Sequence, residues 1–282
     1  MVHWHSDVVR QRRAMKLYEP LQHWLLQRAD GIISTSAAYA ESSIALRPWL
    51  DKVTVIPIGI SDKRGLDFAP RTEALREEFR GRRIVFALGR MTYYKGFEVL
   101  IEAARHLPDD TVVIIGGDGP ELTRHRETVE RLGLQDKVLL PGHINDGDLP
   151  SYYEACDIFC MSSTVRSEAY GVTMVEAMVM GKPVVATDIR GSGVPWVNVH
   201  GETGFNTKVN DPGSLAESLN LILTDSDLLR RMGMAARARY LREFNADWMT
   251  GKTIGLYETL LRNRVSTPRA RACGEPSTTS KG

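Results

Sequence analysis

The stretch Ser167-Glu168-Ala169-Tyr170-Gly171-Val172-Thr173-Met174-Val175-Glu176-Ala177-Met178 decides how the rest of the chain is read. It holds two carboxylates with seven residues between them, and a glycine closely follows the first. Val172, Val175, Val179 and Met180 recur at helical spacing and predict a buried stripe, which Gly181 and Pro183 bring to an end. Val184-Val185-Ala186 then reads as a buried strand. Glu168 therefore falls in the loop before a helix and Glu176 inside that helix, roughly 12 Å apart along the axis at the usual helical rise. The N–H groups at the start of the helix are free to meet an anion. A ligand that is anionic in the middle and hydroxylated at both ends fits this frame, and a nucleotide-sugar is such a ligand.

Read singly, either glutamate would pass for a solvated residue on a helix face. With Gly171 and the following Gly181-Lys182-Pro183-Val184-Val185-Ala186, the stretch resembles the E-x7-E signature of retaining GT-B glycosyltransferases, the family 4 or glycosyl transferases group 1 class. The resemblance implies an α/β fold of GT-B type: a Rossmann-like parallel-sheet domain with a partial second Rossmann-like domain. It implies transfer of a hexose from a nucleoside diphosphate sugar to a hydroxyl of a glycan or lipid-linked acceptor, with retention. No metal and no cofactor beyond the donor itself are expected. Glu168 is then expected to position sugar hydroxyls and Glu176 to hold the ribose, with Ala169, Tyr170, Gly171 and Val172 lining the donor.

Upstream, Ile84-Val85-Phe86-Ala87-Leu88 is an apolar strand that runs into Gly89-Arg90-Met91-Thr92-Tyr93-Tyr94-Lys95-Gly96. Open α/β sheets bind ligands at the carboxyl ends of their strands. Two cations five apart there can flank a diphosphate, arginine as a planar fork and lysine as a point charge. This Gly-Arg-x4-Lys-Gly arrangement is the second hallmark of the same family. Gly116-Gly117-Asp118-Gly119-Pro120 resembles the family's G-x-G-P turn and reads as a structural turn near the donor. Pro141-Gly142-His143-Ile144 matches the family loop whose backbone faces the base, so Gly142, His143 and Ile144 are donor-binding candidates. Asp146-Gly147-Asp148 has the form of a D-x-D metal motif, but Asp148 precedes Leu149-Pro150 and reads better as a helix N-cap. In Trp4-His5-Ser6-Asp7, His5 stands where the family places a histidine that reaches the donor sugar. His3, a strand step away, is expected to face elsewhere. Glu168, His5, Arg90 and Lys95 thus form the candidate catalytic set.

The 282 residues are 43% hydrophobic and 25% charged, ordinary for a globular protein of one large or two modest domains. A formal charge of +1 gives no argument for nucleic acid. Cys156, Cys160 and Cys273 make no disulfide framework. No signal peptide and no run approaching the ~20 residues of a membrane span is visible, so the cytoplasm is the expected compartment.

In order, a helix is expected over 8–28, interrupted at Pro20, with a basic cluster (Arg10, Arg12, Arg13, Lys16) and an apolar stripe (Leu21, Trp24, Leu25). That segment is either a solvated face over a core stripe or a contact with anionic lipid, at the inner face of the plasma membrane, or with a lipid-linked acceptor. A short strand before Thr35, a helix over 37–46 and a strand over 52–58 follow, then a linker over 61–71. Strands and helices then alternate to residue 262, which calls for a parallel sheet covered on both faces. The expected division is 1–62 as a remnant of an acceptor-side domain, 63–240 as the nucleotide-sugar domain, 241–263 as a helix packing back on the remnant, and 264–282 as a disordered tail. Family members carry a further long stretch before the strand that ends at His5. The acceptor domain is therefore expected to be incomplete, through a truncated frame, a late start or a fragment. The segment Arg190-Gly191-Ser192-Gly193-Val194-Pro195-Trp196-Val197-Asn198 resembles bacterial polysaccharide and O-antigen enzymes, several of which use GDP-mannose or GDP-rhamnose. Two alternatives stand beside transfer: a donor-binding fragment without catalysis, and a GT-B nucleotide-sugar epimerase.

Overall fold

The computed structural model describes residues 1–8, 12–64 and 69–266. Short apolar runs alternate with helical segments, and parallel neighbours can be joined only by crossovers, so the chain builds two parallel sheets. The smaller has the order β1 (Val2–Trp4), β2 (Ile32–Ser34), β3 (Val53–Val55), with α1 (Arg12–Arg28) and α2 (Ala37–Ser42) as crossovers. Val2 pairs with Ile32, and Ile32 with Val53.

The larger unit runs α3 (Ala69–Glu78), β4 (Arg83–Leu88), α4 (Phe97–Ala103), β5 (Thr111–Gly116), α5 (Leu122–Arg131), β6 (Val138–Gly142), α6 (Leu149–Ala155), β7 (Ile158–Met161). It continues α7 (Val172–Val179), β8 (Val184–Thr187), α8 (Val194–Val197), β9 (Gly204–Thr207), α9 (Pro212–Thr224), α10 (Ser226–Arg239) and α11 (Ala246–Ser266). Its six strands lie in the order β6-β5-β4-β7-β8-β9. Apolar side chains alternate across the pleat. Ile84 and Phe86 of β4 enter the layer shared with α6 and α7, while Val85 and Ala87 enter the layer shared with α4 and α9. From β4 the chain winds outward to β5 and β6, then returns to place β7 on the other side of β4. The switch point lies between β4 and β7, and the loops leaving their carboxyl ends border one crevice.

Several elements differ from the sequence reading. Helix α1 passes through Pro20 without a break, with Pro20 facing solvent. Residues 9–11 and the side chains of the basic cluster lie outside the described residues, as does the tail from 267 onward. The strand expected over 52–58 keeps a ladder only at Val53–Val55; Pro57 has no N–H to extend it. Helix α3 was not anticipated, α8 is a single turn within 190–198, and α11 continues to Ser266. Val172 is exposed rather than part of the buried stripe.

The segment between the sheets is tied down. Tyr170 donates to the Ile58 carbonyl (3.3 Å) and Tyr240 to that of Ile60 (3.0 Å), and Arg237 pairs with Asp62 at 2.5 Å. Helix α11 starts there, with the Ala246 N–H on the Ile60 carbonyl, and ends on the small sheet, where Arg264 meets Asp30 at 3.2 Å. Leu260 lies so close to Gly31 that a Cβ there would be 2.8 Å from its Cδ1. No helix among the described residues is long and apolar enough to cross a membrane.

Two glycines test how firmly the loops are packed. Gly117 (φ +129°) sits with its missing Cβ 1.9 Å from the Gly89 carbonyl oxygen, whereas Gly133 (φ +67°) has nothing within 4 Å. Gly133→Ala should cost only the backbone penalty, ~1 kcal/mol, and Gly117→Ala more than ~3 kcal/mol, because two loops must part. Thermal midpoints check this; equal losses would show that the loops yield.

Candidate functional site

The switch point brings the two hallmark loops together. After β4 the chain turns through Gly89, and the Lys95 side chain lies back over it: a Cβ on Gly89 would be 2.8 Å from Lys95 Cε. After β7 the loop carries Glu168 in. Lys95 Nζ donates to Glu168 Oε2 at 2.6 Å, and the Ser163 hydroxyl donates to the same oxygen at 2.9 Å. Each of the paired side chains is only 11% exposed. Gly96 (φ +63°) makes the approach possible, since a Cβ there would be 2.1 Å from the Ser162 carbonyl oxygen. Ser192 fixes the backbone from the opposite side by donating to the Glu168 carbonyl at 2.5 Å, and the Gly193 N–H donates to the Ala169 carbonyl at 2.8 Å. Arg90 is exposed, and no described residue engages its guanidinium. Lysine carries three donors, so the one spent on Glu168 leaves two for an anion.

Helix α7 begins at Gly171 (φ +87°) with no side-chain cap. Its first N–H groups are therefore uncapped, and the buried Thr173 hydroxyl beside them has no partner in the protein. Val172 is exposed on the same turn. Glu176 is half-buried and accepts from the Tyr153 hydroxyl at 2.7 Å. Burial, and then the Glu176 charge, push the Tyr153 phenol well above its ordinary pKa, so it stays a donor. Glu176 also lines a cleft of about 300 Å³ with Lys63, Leu149, Pro150 and Ile60. Gly142 (φ +80°) accepts from the Gly117 N–H at 2.7 Å, Ile144 packs against Gly116, and His143 is exposed.

Three expectations need correction. The Tyr170 side chain does not line an open donor site. It is buried, edge-on to Phe244 and beside Trp196, and bonded to the segment between the sheets. Asp148 holds the N-cap position of α6 but makes no side-chain cap bond. His3 does not face away from His5. Residues two apart share a strand face, and the two rings lie 6.3 Å apart. His5 itself is exposed and no described hydrogen bond joins it to Lys95 or Glu168. Its neighbour Asp7 reaches the larger unit through Arg166, at 2.6 Å. Among the described residues no group of three His, Cys, Asp or Glu could hold a metal ion, and Asp146 is exposed.

Sequence reasoning missed Ser163, Ser192, Thr173, Tyr153 and Arg166. The first four are small or aromatic residues whose use depends on chain crossings. Arg166 alone carried a signal, as a charge two positions before Glu168 in an otherwise uncharged loop.

Because the Lys95–Glu168 pair is nearly buried, removing one member should hurt more than removing both. Lys95→Met leaves a buried carboxylate with one hydroxyl and should cost ~3 kcal/mol of ligand-free stability. Adding Glu168→Gln should recover part of that loss. Chemical denaturation decides it, and a double variant no more stable than the single would refute the pairing.

A family model described as "Glycosyl transferases group 1" matches residues 71–239. The chain is 34% identical over 266 residues to the O-antigen chain mannosyltransferase C of Escherichia coli, covering 94% of this chain and 70% of that protein. It is 33% identical over 248 residues to the D-rhamnosyltransferase WbpZ of Pseudomonas aeruginosa, covering 87% of this chain and 64% of that one. Among solved structures, Anabaena Alr3699/HepE in complex with UDP superposes with a TM-score of 0.82 at 24% identity, over 92% of this chain and 72% of that one. Sucrose-phosphate synthase from Thermosynechococcus elongatus does so with 0.78 at 25%, over 93% and 68%. The architecture is that of the GT-B fold, and the chain belongs to the glycosyl transferases group 1 family.

Proposed function

We propose that the protein moves a hexose of the mannose or rhamnose kind from a nucleoside diphosphate sugar to a hydroxyl of a glycan or lipid-linked acceptor. Retention and independence of metal are part of this reading, and cell-surface polysaccharide or O-antigen synthesis is its setting. The observation that carries it is the Lys95–Glu168 pair at the switch point, beside an uncapped helix start. Arg90, the two remaining Lys95 donors and the first N–H groups of α7 offset the charge that develops on the leaving diphosphate. The Thr173 hydroxyl adds an unpartnered donor. Glu168 orients sugar hydroxyls, with His5 approaching from the smaller sheet. Glu176, steadied by Tyr153, holds the ribose, and the backbone of Gly142, His143 and Ile144 faces the base. No side chain acts as nucleophile; the leaving phosphate takes the acceptor's proton on the face it departs from. Residues 1–62 serve as the acceptor-side unit, 63–240 as the donor unit, and 241–263 as the helix that packs back. The names of the relatives in Escherichia coli and Pseudomonas aeruginosa support the sugar class.

Calorimetry with GDP, UDP and their hexose conjugates tests the reading. Binding should survive EDTA, and Arg90→Ala or Lys95→Ala should each weaken it by about 1.5–3 kcal/mol, the scale of a charge-assisted hydrogen bond. Unchanged affinity in both variants refutes the clamp, and a strict need for manganese or magnesium refutes the metal-free mechanism. Free nucleoside diphosphate formed from the donor without a transferred sugar favours the epimerase.

A peripheral membrane contact is the second element of the proposal. Leu17, Leu21, Trp24 and Leu25 of α1 all stand exposed, Leu17 at 87%, along a segment whose basic residues outnumber its acidic ones. Vesicles containing anionic phosphatidylglycerol should sediment the protein, and Leu21→Glu/Leu25→Glu should abolish this. Equal recovery with neutral vesicles, or no loss in the variant, contradicts it.

A further inference from the structure

Arg166 leaves the donor loop two positions before Glu168 and ends in the smaller unit. Its Nη1 donates to Asp7 Oδ2 at 2.6 Å, and its Nε lies 3.0 Å from both the Ser42 hydroxyl and the Gly191 carbonyl oxygen. The guanidinium stacks over the Tyr39 ring, 4.2 Å from its centroid. Asp7 is fully committed in turn. Its other oxygen accepts from the Trp4 indole at 2.9 Å and the Ser43 hydroxyl at 2.7 Å, and its N–H donates to the Tyr39 hydroxyl at 2.6 Å. Between Trp4 and Asp7, both anchored, His5 and Ser6 form an exposed tip. On the opposite side Glu168 is anchored by Ser163, Ser192 and Lys95. Arg166 joins these two rigid frames. The ion pair is largely shielded, with side chains 22% and 16% exposed, and the planar fork and ring stack fix direction as well as distance.

We propose that Arg166 is a positioning residue that sets the His5 tip at its working separation from Glu168, so that both grip the sugar of one donor molecule. It makes no contact with the donor itself. The inference rests on the donor reading above and adds to it the device that couples the two halves of the sugar site. If the device is a positioning one, its loss changes how the sugar is held while leaving the nucleotide's own contacts in place.

The test is calorimetric on the full chain, with GDP and GDP-mannose, or UDP and UDP-glucose if the uridine series binds. The quantity read is the gain in affinity that the sugar adds to the nucleoside diphosphate. In Arg166→Ala, nucleoside diphosphate affinity should stay within about twofold while the sugar's gain falls roughly tenfold, as for a misplaced contact pair. Asp7→Ala should match it, and Arg166→Ala added to Asp7→Ala or to His5→Ala should produce no further loss. A comparable fall in nucleoside diphosphate affinity, an intact sugar gain, or losses that add to that of His5→Ala would overturn the proposal, as would a wild type in which the sugar adds nothing. A wild type that binds no nucleoside diphosphate at all refutes the underlying donor reading instead.

Discussion

The site depends on one nearly buried ion pair, Lys95 with Glu168. Such a pair is a poor source of stability, because removing both charges from water offsets most of their attraction. What it gives is placement. The two groups come from loops after different strands, and they meet only because β4 and β7 are neighbours across the switch point. Gly89 leaves room for the lysine stem and Gly96 lets the loop sit on the end of β7. Ser163 meets part of the carboxylate's remaining hydrogen-bond demand. The pair also ties the loop after β4 to the loop after β7, so a cation from one strand end holds the carboxylate of another.

The second constraint is the connection between the sheets. Two tyrosine hydroxyls and the Arg237–Asp62 pair bind the crossing segment to the larger unit, so it is a braced strap rather than a free tether. Arg166 makes a second connection, from the loop after β7 to Asp7. With contacts at the back and the front of the crevice, the two units can change their angle only by exchanging specific polar bonds.

Much of the architecture was legible because the strands of the larger sheet are covered on both faces and read as unbroken apolar runs. The hallmark residues were legible because each set falls within one short stretch of sequence. What failed to show was whatever depended on distant partners. Asp7 and Arg166 are 159 positions apart, and the charge of Arg166 beside Glu168 does not say that Asp7 is its partner. Tyr170 sits inside the signature yet turns its ring toward the crossing segment, which no spacing reveals. Helix α3 was hidden because its sequence is polar and Leu75 is its buried residue. The facing of His3 was misjudged through the period of the strand itself: two positions along return a side chain to the same side.

Helix α11 carries a consequence for the order in which the molecule is made. It closes over Gly31 and Asp30, elements laid down more than two hundred residues earlier. The residues of the larger sheet and of α7 to α10 therefore leave the ribosome before α11 does, and the smaller sheet waits longest for its last neighbour. Contacts of such long sequence separation form late and slowly. The small sheet is for that interval a nascent surface, and its maturation is timed by the synthesis of α11 rather than by its own.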